Sequence, residues 1–215
     1  YLSGALSLYH HKNVKISSSF IHNNLADDGL NIKNTNLIEL SENTFKDNFA
    51  DAIDLDFCKG TLSNNTFVDI VGNENNNGDG LDLSGSKIVI KNNSFLNFKD
   101  KAISIGEKSY AILYNNLFNN NRSAVTLKDE STGFLISNIY NSNIYNIEMY
   151  QKKQIFKNPV AYILNNNFEN QFIKKTPESN IFQSDKIINN LDFNQNHDYD
   201  YYSNLFENIF WNKYE

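Results

Sequence analysis

Residues Gly78 to Ser86 read GDGLDLSGS and run on through KIVIKNNSF to Phe95. A small residue followed by apolar, polar, apolar begins this block, and the pattern recurs along the chain. Its copies are GALSL from Gly4, DGLNI from Asp28, DAIDL from Asp51, KAISI from Lys101, SAVTL from Ser123 and, imperfectly, NIEM from Asn146. A second set of copies closes each unit: VKISSSF to Phe20, ELSENTF to Phe45, TLSNNTF to Phe67, ILYNNLF to Phe118, FLISNIY to Tyr140 and ILNNNF to Phe168. The period of about 22 to 28 residues is the range in which self-similarity means a solenoid whose coils must stack to bury an apolar face.

The period inside each unit decides between strand and helix. In DAIDLDF, Ile53, Leu55 and Phe57 alternate with Asp54 and Asp56, which sends the apolar set inward and the carboxylates outward on a strand. Helical spacing is absent from every copy, as is the leucine run with a helical return that a leucine-rich repeat needs. The sequence therefore predicts a coil of short parallel strands. Asn64-Asn65, Asn92-Asn93 and Asn115-Asn116 precede the closing Phe, where a tight turn calls for a residue that tolerates left-handed backbone angles. Stacked Asn amides can also hydrogen-bond along the axis.

About seven coils are expected over residues 1–170. Extra residues at Val71–Asn77 and Tyr150–Asn158 should bulge as loops of the kind that wall a groove. Residues 171–215 show no clear period and contain Pro177. Leu205, Phe206, Ile209 and Phe210 near the end have helical spacing, so this extension is expected to cap the last coil with a short amphipathic helix. Tyr1 opens directly on a strand-like unit, and a further domain or a cap is expected upstream of it.

Composition bounds the partners. The chain has 215 residues, 40% of them hydrophobic, enough for one continuous core. No apolar run is long enough for a bilayer. Cys58 is the single cysteine, so an intramolecular disulfide framework is excluded. The net charge of −6, with no basic stripe, argues against a nucleic-acid partner.

The candidate chemistry lies on the outward face of the first strand of each coil. Coils stacked about 4.8 Å apart turn the repeat into ladders. The ladders read Ser7, Asn31, Asp54, Asp82, Ser104, Thr126, Glu148; then Tyr9, Lys33, Asp56, Ser84, Gly106, Lys128, Tyr150; then Gly4, Asp28, Asp51, Asp79, Lys101, Ser123, Tyr145. Two carboxylates at that spacing repel by roughly 1 kcal/mol in water and about 3.5 kcal/mol at an effective dielectric of 20. A bound cation, the nearby lysines or a retained proton must relieve them. Clustered oxygen ligands without His or Cys favour calcium, with Asp54, Asp56 and Asp82 as its candidate ligands. The alternative is that Asp28, Asp51 and Asp79 cap turns through their own backbone. Arg122, the single arginine, stands one coil above Asp100 and suits either an ion pair or a uronate carboxylate. The adjacent His10 and His11 are expected on an exposed turn.

The [Asn/Ser]-x-Phe endings with DGLDL or DAIDL starts resemble the right-handed parallel β-helix repeats of the pectin-lyase-like superfamily, from Ala5 to about Asn170. DKAISIGEKS, VTLKDES and MYQKK are more particularly similar to bacterial β-helix domains found alongside spore-coat-type kinase domains. The resemblance implies an all-β, single-stranded, right-handed parallel β-helix with a C-terminal capping segment. It also implies a secreted or cell-surface setting and a polysaccharide or cell-surface glycan as partner. In an acidic-polysaccharide lyase or related uronate-modifying enzyme, Lys101 or Arg122 would be catalytic. Tyr9, Lys33, Asp51, Asp79 and Lys128 would hold substrate, with calcium on Asp54, Asp56 and Asp82. Asp27-Asp28-Gly29 resembles the paired-Asp motif of polygalacturonases, but their Gly-His-Gly and Arg-x-Lys motifs are absent, as is the Asp-Pro-His motif of mannuronan epimerases. The other expectation is a non-catalytic glycan-binding or structural module of a larger protein.

Overall fold

The computed structural model describes residues 4–69, 78–184, 200–202 and 204. Its strands form three sheets of eight, eight and seven strands, in which each strand pairs in parallel with the one three further along the chain. Each of the first seven coils thus contributes one strand to each sheet. Sheet 1 consists of Gly4–Tyr9, Asp28–Lys33, Ile53–Asp56, Leu81–Ser84, Lys101–Gly106, Ser123–Lys128, Tyr145–Tyr150 and Ile173–Lys175. Sheet 2 runs from Asn13–Ser17 to Asn180–Ser184, and sheet 3 from Phe20–His22 to Asn167–Phe168.

Alternation fills the interior. From the second coil upward, sheet 1 sends Leu30 and Ile32, Ile53 and Leu55, Leu81 and Leu83, Ile103 and Ile105, Val125 and Leu127, and Ile147 and Met149 into one continuous core. The small residue ahead of each apolar pair answers a close approach: a Cβ on Gly80 would lie 2.5 Å from the Ala102 carbonyl and 3.0 Å from the Phe98 ring. At the closing position Phe45, Phe67, Phe95, Phe118, Tyr140 and Phe168 stack face to face, with centroids 4.5 to 5.3 Å apart. This spacing follows the coil rise of about 4.8 Å.

The paired asparagines divide the work of the corner. The first of each pair, Asn64, Asn92, Asn115 and Asn165, takes a positive φ of 50 to 57°. The second is buried and forms a ladder in which Asn43, Asn65, Asn93, Asn116 and Asn138 each donate to the Oδ1 of the next, at 2.9 to 3.1 Å, ending on Asn166. The same amides also donate to a main-chain carbonyl of the coil before, as Asn65 does to Leu40 at 2.9 Å. Cys58 belongs to a parallel ladder of hydroxyls: its N–H donates to Ser86 Oγ, and the Ser86 N–H donates to Ser109 Oγ. Burial pushes the Cys58 thiol up to about 11, which keeps it protonated and unreactive.

Three sequence expectations are corrected. The repeat does not stop at Asn170, because Ile173–Lys175 and Asn180–Ser184 pair in parallel with the seventh coil and make an eighth. Their side chains are mostly exposed, so burial imposes no alternation that the sequence could display. Phe57 does not point inward. It sits at a corner with φ 54° and 62% of its surface exposed, and Cys58 takes the inward place. Phe20 is not the first member of the ring stack either: Ile21 is in register with Phe45, and Phe20 pairs with Thr44 and stacks on His22 at the surface.

Val71–Asn77 and the residues Leu205, Phe206, Ile209 and Phe210 lie outside the described residues. Of the C-terminal extension, Tyr202 is helical and buried against Val89, Ile112, Phe134, Ile136 and Leu164, on the outward side of sheet 2. This part of the extension covers the flank of the solenoid. No helix among the described residues is long and apolar enough to cross a membrane.

Candidate functional site on the outer face of sheet 1

The strand register sets the first two ladders as the sequence spacing requires. Ser7, Asn31, Asp54, Asp82, Ser104, Thr126 and Glu148 are successive partners, and Lys174 of the eighth coil extends the row. Tyr9, Lys33, Asp56, Ser84 and Gly106 run alongside, and Lys128 pairs with Tyr150. In the third row the amides of Gly29, Ala52 and Gly80 donate to the carbonyls of Asp51, Asp79 and Lys101, which keeps Asp28, Asp51, Asp79 and Lys101 in step.

Outward does not mean exposed. Asn31, Ser104, Thr126 and Glu148 are all buried, although they face away from the core. Side chains of the flanking rows cover them by reaching from one coil to another. Lys128 is the longest example: its Cε lies 3.3 Å from where a Gly106 Cβ would be, and its ammonium comes within 4.0 Å of Asp82 Oδ1, two coils below. Among the described residues, Asn31 Oδ1, Asp82 Oδ1 and Ser104 Oγ on this floor have no hydrogen-bond partner.

The carboxylates find different relief. Asp56 pairs with Lys33 at 2.6 Å. Asp54 Oδ2 accepts from Asn31 at 2.6 Å, but burial, with the Asp56 charge adding to it, pushes its carboxyl up to about 7. Asp28 also accepts from Asn31, and burial raises it to about 6 against that hydrogen bond. Asp51 and Asp79 are raised as well, Asp51 by burial and the neighbouring Asp79, Asp79 by burial against the pull of Lys101. The amide of Asp79 donates to Asp51 Oδ1 at 2.7 Å, so Asp51 caps the corresponding turn of the next coil and not its own.

Asp54, Asp56 and Asp82 do not fit a calcium cage. That ion takes about six to eight oxygens around one point. Here Asp56 is drawn to Lys33 and Asp54 to Asn31, and no three His, Cys, Asp or Glu side chains converge among the described residues.

Further up the stack the charge reverses. Lys101, Arg122, Glu148, Tyr150, Lys174, Lys175 and Asp100 line a cleft of about 460 Å³. Lys101 bridges Asp79, at 3.2 Å, and Asp100. Burial alone would lower the Lys101 pKa, but Asp79 and Asp100 more than offset this and raise it above the ordinary lysine value. Arg122, 41% exposed, lies 3.3 Å from Glu148 and 3.6 Å from Asp100. Lys174 pairs with the other Glu148 oxygen at 3.0 Å and stands 4.9 Å from the centre of the Tyr145 ring, which Arg122 also approaches. Burial raises the Tyr150 phenol.

The loop after Tyr150 bulges as its extra length predicts, and Asp129 ties it down. Buried Asp129 accepts the main-chain N–H of both Lys152 and Lys153 at 2.7 Å through Oδ1. Lys153 then pairs with Glu107, two coils below, and Lys108 stands 5.9 Å from the Phe156 ring centre.

The structure thus draws Lys101 and Arg122 to one cleft with Tyr150, and leaves Tyr9, Lys33, Asp54 and Asp56 nearer the other end of the same face. His10 and His11 are exposed on the first corner. Sequence reasoning missed Glu148 as the anchor of Arg122, Lys174 as a wall of the cleft, and Asp129. Lys174 was hidden because its coil was not recognised.

A family described as right handed beta helix region matches residues 28–191. Among solved structures, an alginate lyase from Paenibacillus sp. str. FPU-7 is similar with a TM-score of 0.44 and 12% identity, over 73% of this chain and 75% of that one. No curated protein matches the sequence.

Proposed function

The chain belongs to the right-handed β-helix family, and from that premise we propose that it binds an anionic polysaccharide on the outer face of sheet 1. The observation that carries this reading is the sign of the charge in one cleft. In a chain of net charge −6, four cations (Lys101, Arg122, Lys174 and Lys175) line it against two carboxylates, Asp100 and Glu148. The cations remain in excess when Asp79, behind Lys101, is counted. A uronate carboxylate matches the forked guanidinium of Arg122 and the ammonium of Lys174. The ring of Tyr150 offers apolar surface to the C–H face of a sugar, and the volume falls in the range of about 300 to 1,000 Å³ of small-ligand clefts.

Binding is preferred to catalysis on the state of the protons. A base must be able to accept one. Lys101 holds its proton more tightly than a free lysine, and Arg122 is always charged. Both are therefore carried forward as carboxylate-binding groups. Uronate elimination is the second reading, favoured by carboxyls such as Asp54 that titrate near neutrality on the same face.

Equilibrium binding to polygalacturonate and alginate, at low and physiological salt, tests the proposal. Affinity should fall as salt rises, and Arg122→Ala with Lys174→Ala should weaken it about tenfold or more, roughly 1.4 kcal/mol. Absence of binding to both polymers at low salt, or equal binding by the double variant, overturns it. Ultraviolet absorbance of an unsaturated uronate product in the same samples would move the assignment from binding to elimination.

A further inference from the structure

A second cleft, of about 520 Å³, opens at the corner where sheet 3 returns the chain to sheet 1. Asn97, Phe98, Asn120, Ser142 and Ile144 line it, and it shares Asp100 and Arg122 with the cleft on sheet 1. The two hollows therefore meet at the Asp100–Arg122 pair. They lie around the circumference of the same coils, so a ligand occupying both crosses the solenoid and does not follow its axis.

Their chemistry differs. Asn120 donates to Asn97 Oδ1 at 2.9 Å on an exposed corner, which leaves the Asn97 amino group and the Asn120 carbonyl for a ligand. Ile144 is 60% exposed beside them. Amides beside an apolar side chain suit an uncharged sugar, whose hydroxyl or acetamido groups bond while its C–H face packs. Arg122 is already shared with the first cleft. The remaining cation, Lys99, is matched by the Asp100 carboxylate on the same lining, whereas the first cleft carries cations in excess. A second uronate placed here would find no excess of cations beyond the shared Arg122.

We propose that the ligand is a polysaccharide in which a uronate alternates with an uncharged sugar. It is bound across Arg122, with the uronate on sheet 1 and the uncharged unit against Asn97, Asn120 and Ile144. The inference rests on the anionic-polysaccharide reading above and adds the identity of the neighbouring unit.

Titration calorimetry of the 215-residue chain with hyaluronan, an alternating polymer of glucuronate and N-acetylglucosamine, and with polygalacturonate, a uniform polyuronate, tests it. Hyaluronan should bind about tenfold tighter or more. Asn120→Gly with Ile144→Ser should remove that advantage and leave polygalacturonate binding unchanged. Both sites are at the surface, and glycine accepts the φ of 58° at Asn120, so the variant keeps its fold. Equal affinity for the two polymers, or a variant that retains the hyaluronan preference, overturns the alternating-ligand inference and leaves the anionic-polysaccharide reading standing. Failure of both polymers to bind overturns that reading and this inference with it.

Discussion

The main-chain N–H of Asp79 donates to Asp51 Oδ1 at 2.7 Å, which fixes two carboxyl groups of adjacent coils side by side. Burial raises both above the ordinary carboxylate range, with the Asp79 charge adding to it at Asp51 and the Asp82 and Asp100 charges at Asp79, and Asp28 and Asp54 on the same face reach about 6 and about 7. An acid whose folded pKa is raised keeps its proton in the native state after the unfolded chain has lost it. Stability from these groups is therefore complete below about pH 4 and declines as pH rises through 6 and 7 and beyond. The melting temperature should fall over that interval, and Asp51→Asn, which can still accept the Asp79 N–H, should flatten the fall. A profile that rises from pH 5 to 8, or one unchanged by Asp51→Asn, contradicts this account.

Tyr140 occupies a ring-stack position that Phe fills in the coils on either side, and its buried hydroxyl has no hydrogen-bond partner among the described residues. Tyr140→Phe should stabilise the protein by about 1 to 2 kcal/mol, because it removes an unsatisfied polar group without opening a cavity. Chemical denaturation of the two chains measures this, and a less stable variant would reveal a partner for the hydroxyl.

Adjacent asparagines should respond very differently to truncation. Asn93 donates to Leu62, Lys91 and Asn116 and accepts from Asn65, all inside the stack. Asn93→Ala strands several of these groups and should cost about 3 kcal/mol or more. Asn92 is exposed at φ 57°, so Asn92→Gly should change stability by less than about 1 kcal/mol. Similar losses for both would refute the division of labour at this corner.

Removing the Asp129 carboxylate should release the loop that Lys152 and Lys153 begin. Limited trypsin digestion reads this directly, since the two lysines lie at the anchored end. Asp129→Ala should be cut there at least several-fold faster, and its melting temperature should fall as well, because two N–H groups lose their acceptor and alanine is strained at φ 52°. An unchanged cleavage rate would mean that Glu107 and Glu130 hold the loop without it.

The solenoid and the register of its polar rows were legible because stacking repeats one local pattern. Asp54 beside Asp82, and Lys33 beside Asp56, follow from counting residues within each unit. The limits have physical causes. Phe57 and Phe20 read as core by composition, but corner backbone angles and a one-residue offset put them outside. Lys174 escaped notice because the exposed eighth coil has no burial pattern to betray it. Glu148 looked like an outward side chain with solvent ahead of it, whereas Arg122 and Lys174 close over it from neighbouring coils. One-dimensional spacing gives the row a residue occupies. It does not give the reach of a lysine or arginine across rows.

Each ladder asparagine bonds to the coils above and below it, and each sheet strand to its neighbours in the stack, so almost nothing that orders a coil comes from that coil itself. Cohesion then resides in the interfaces, as in a one-dimensional chain of coupled units. A break at one interface divides the stack into two blocks that melt on their own terms. The proposed binding face, which spans several interfaces, is lost at the first of them to open.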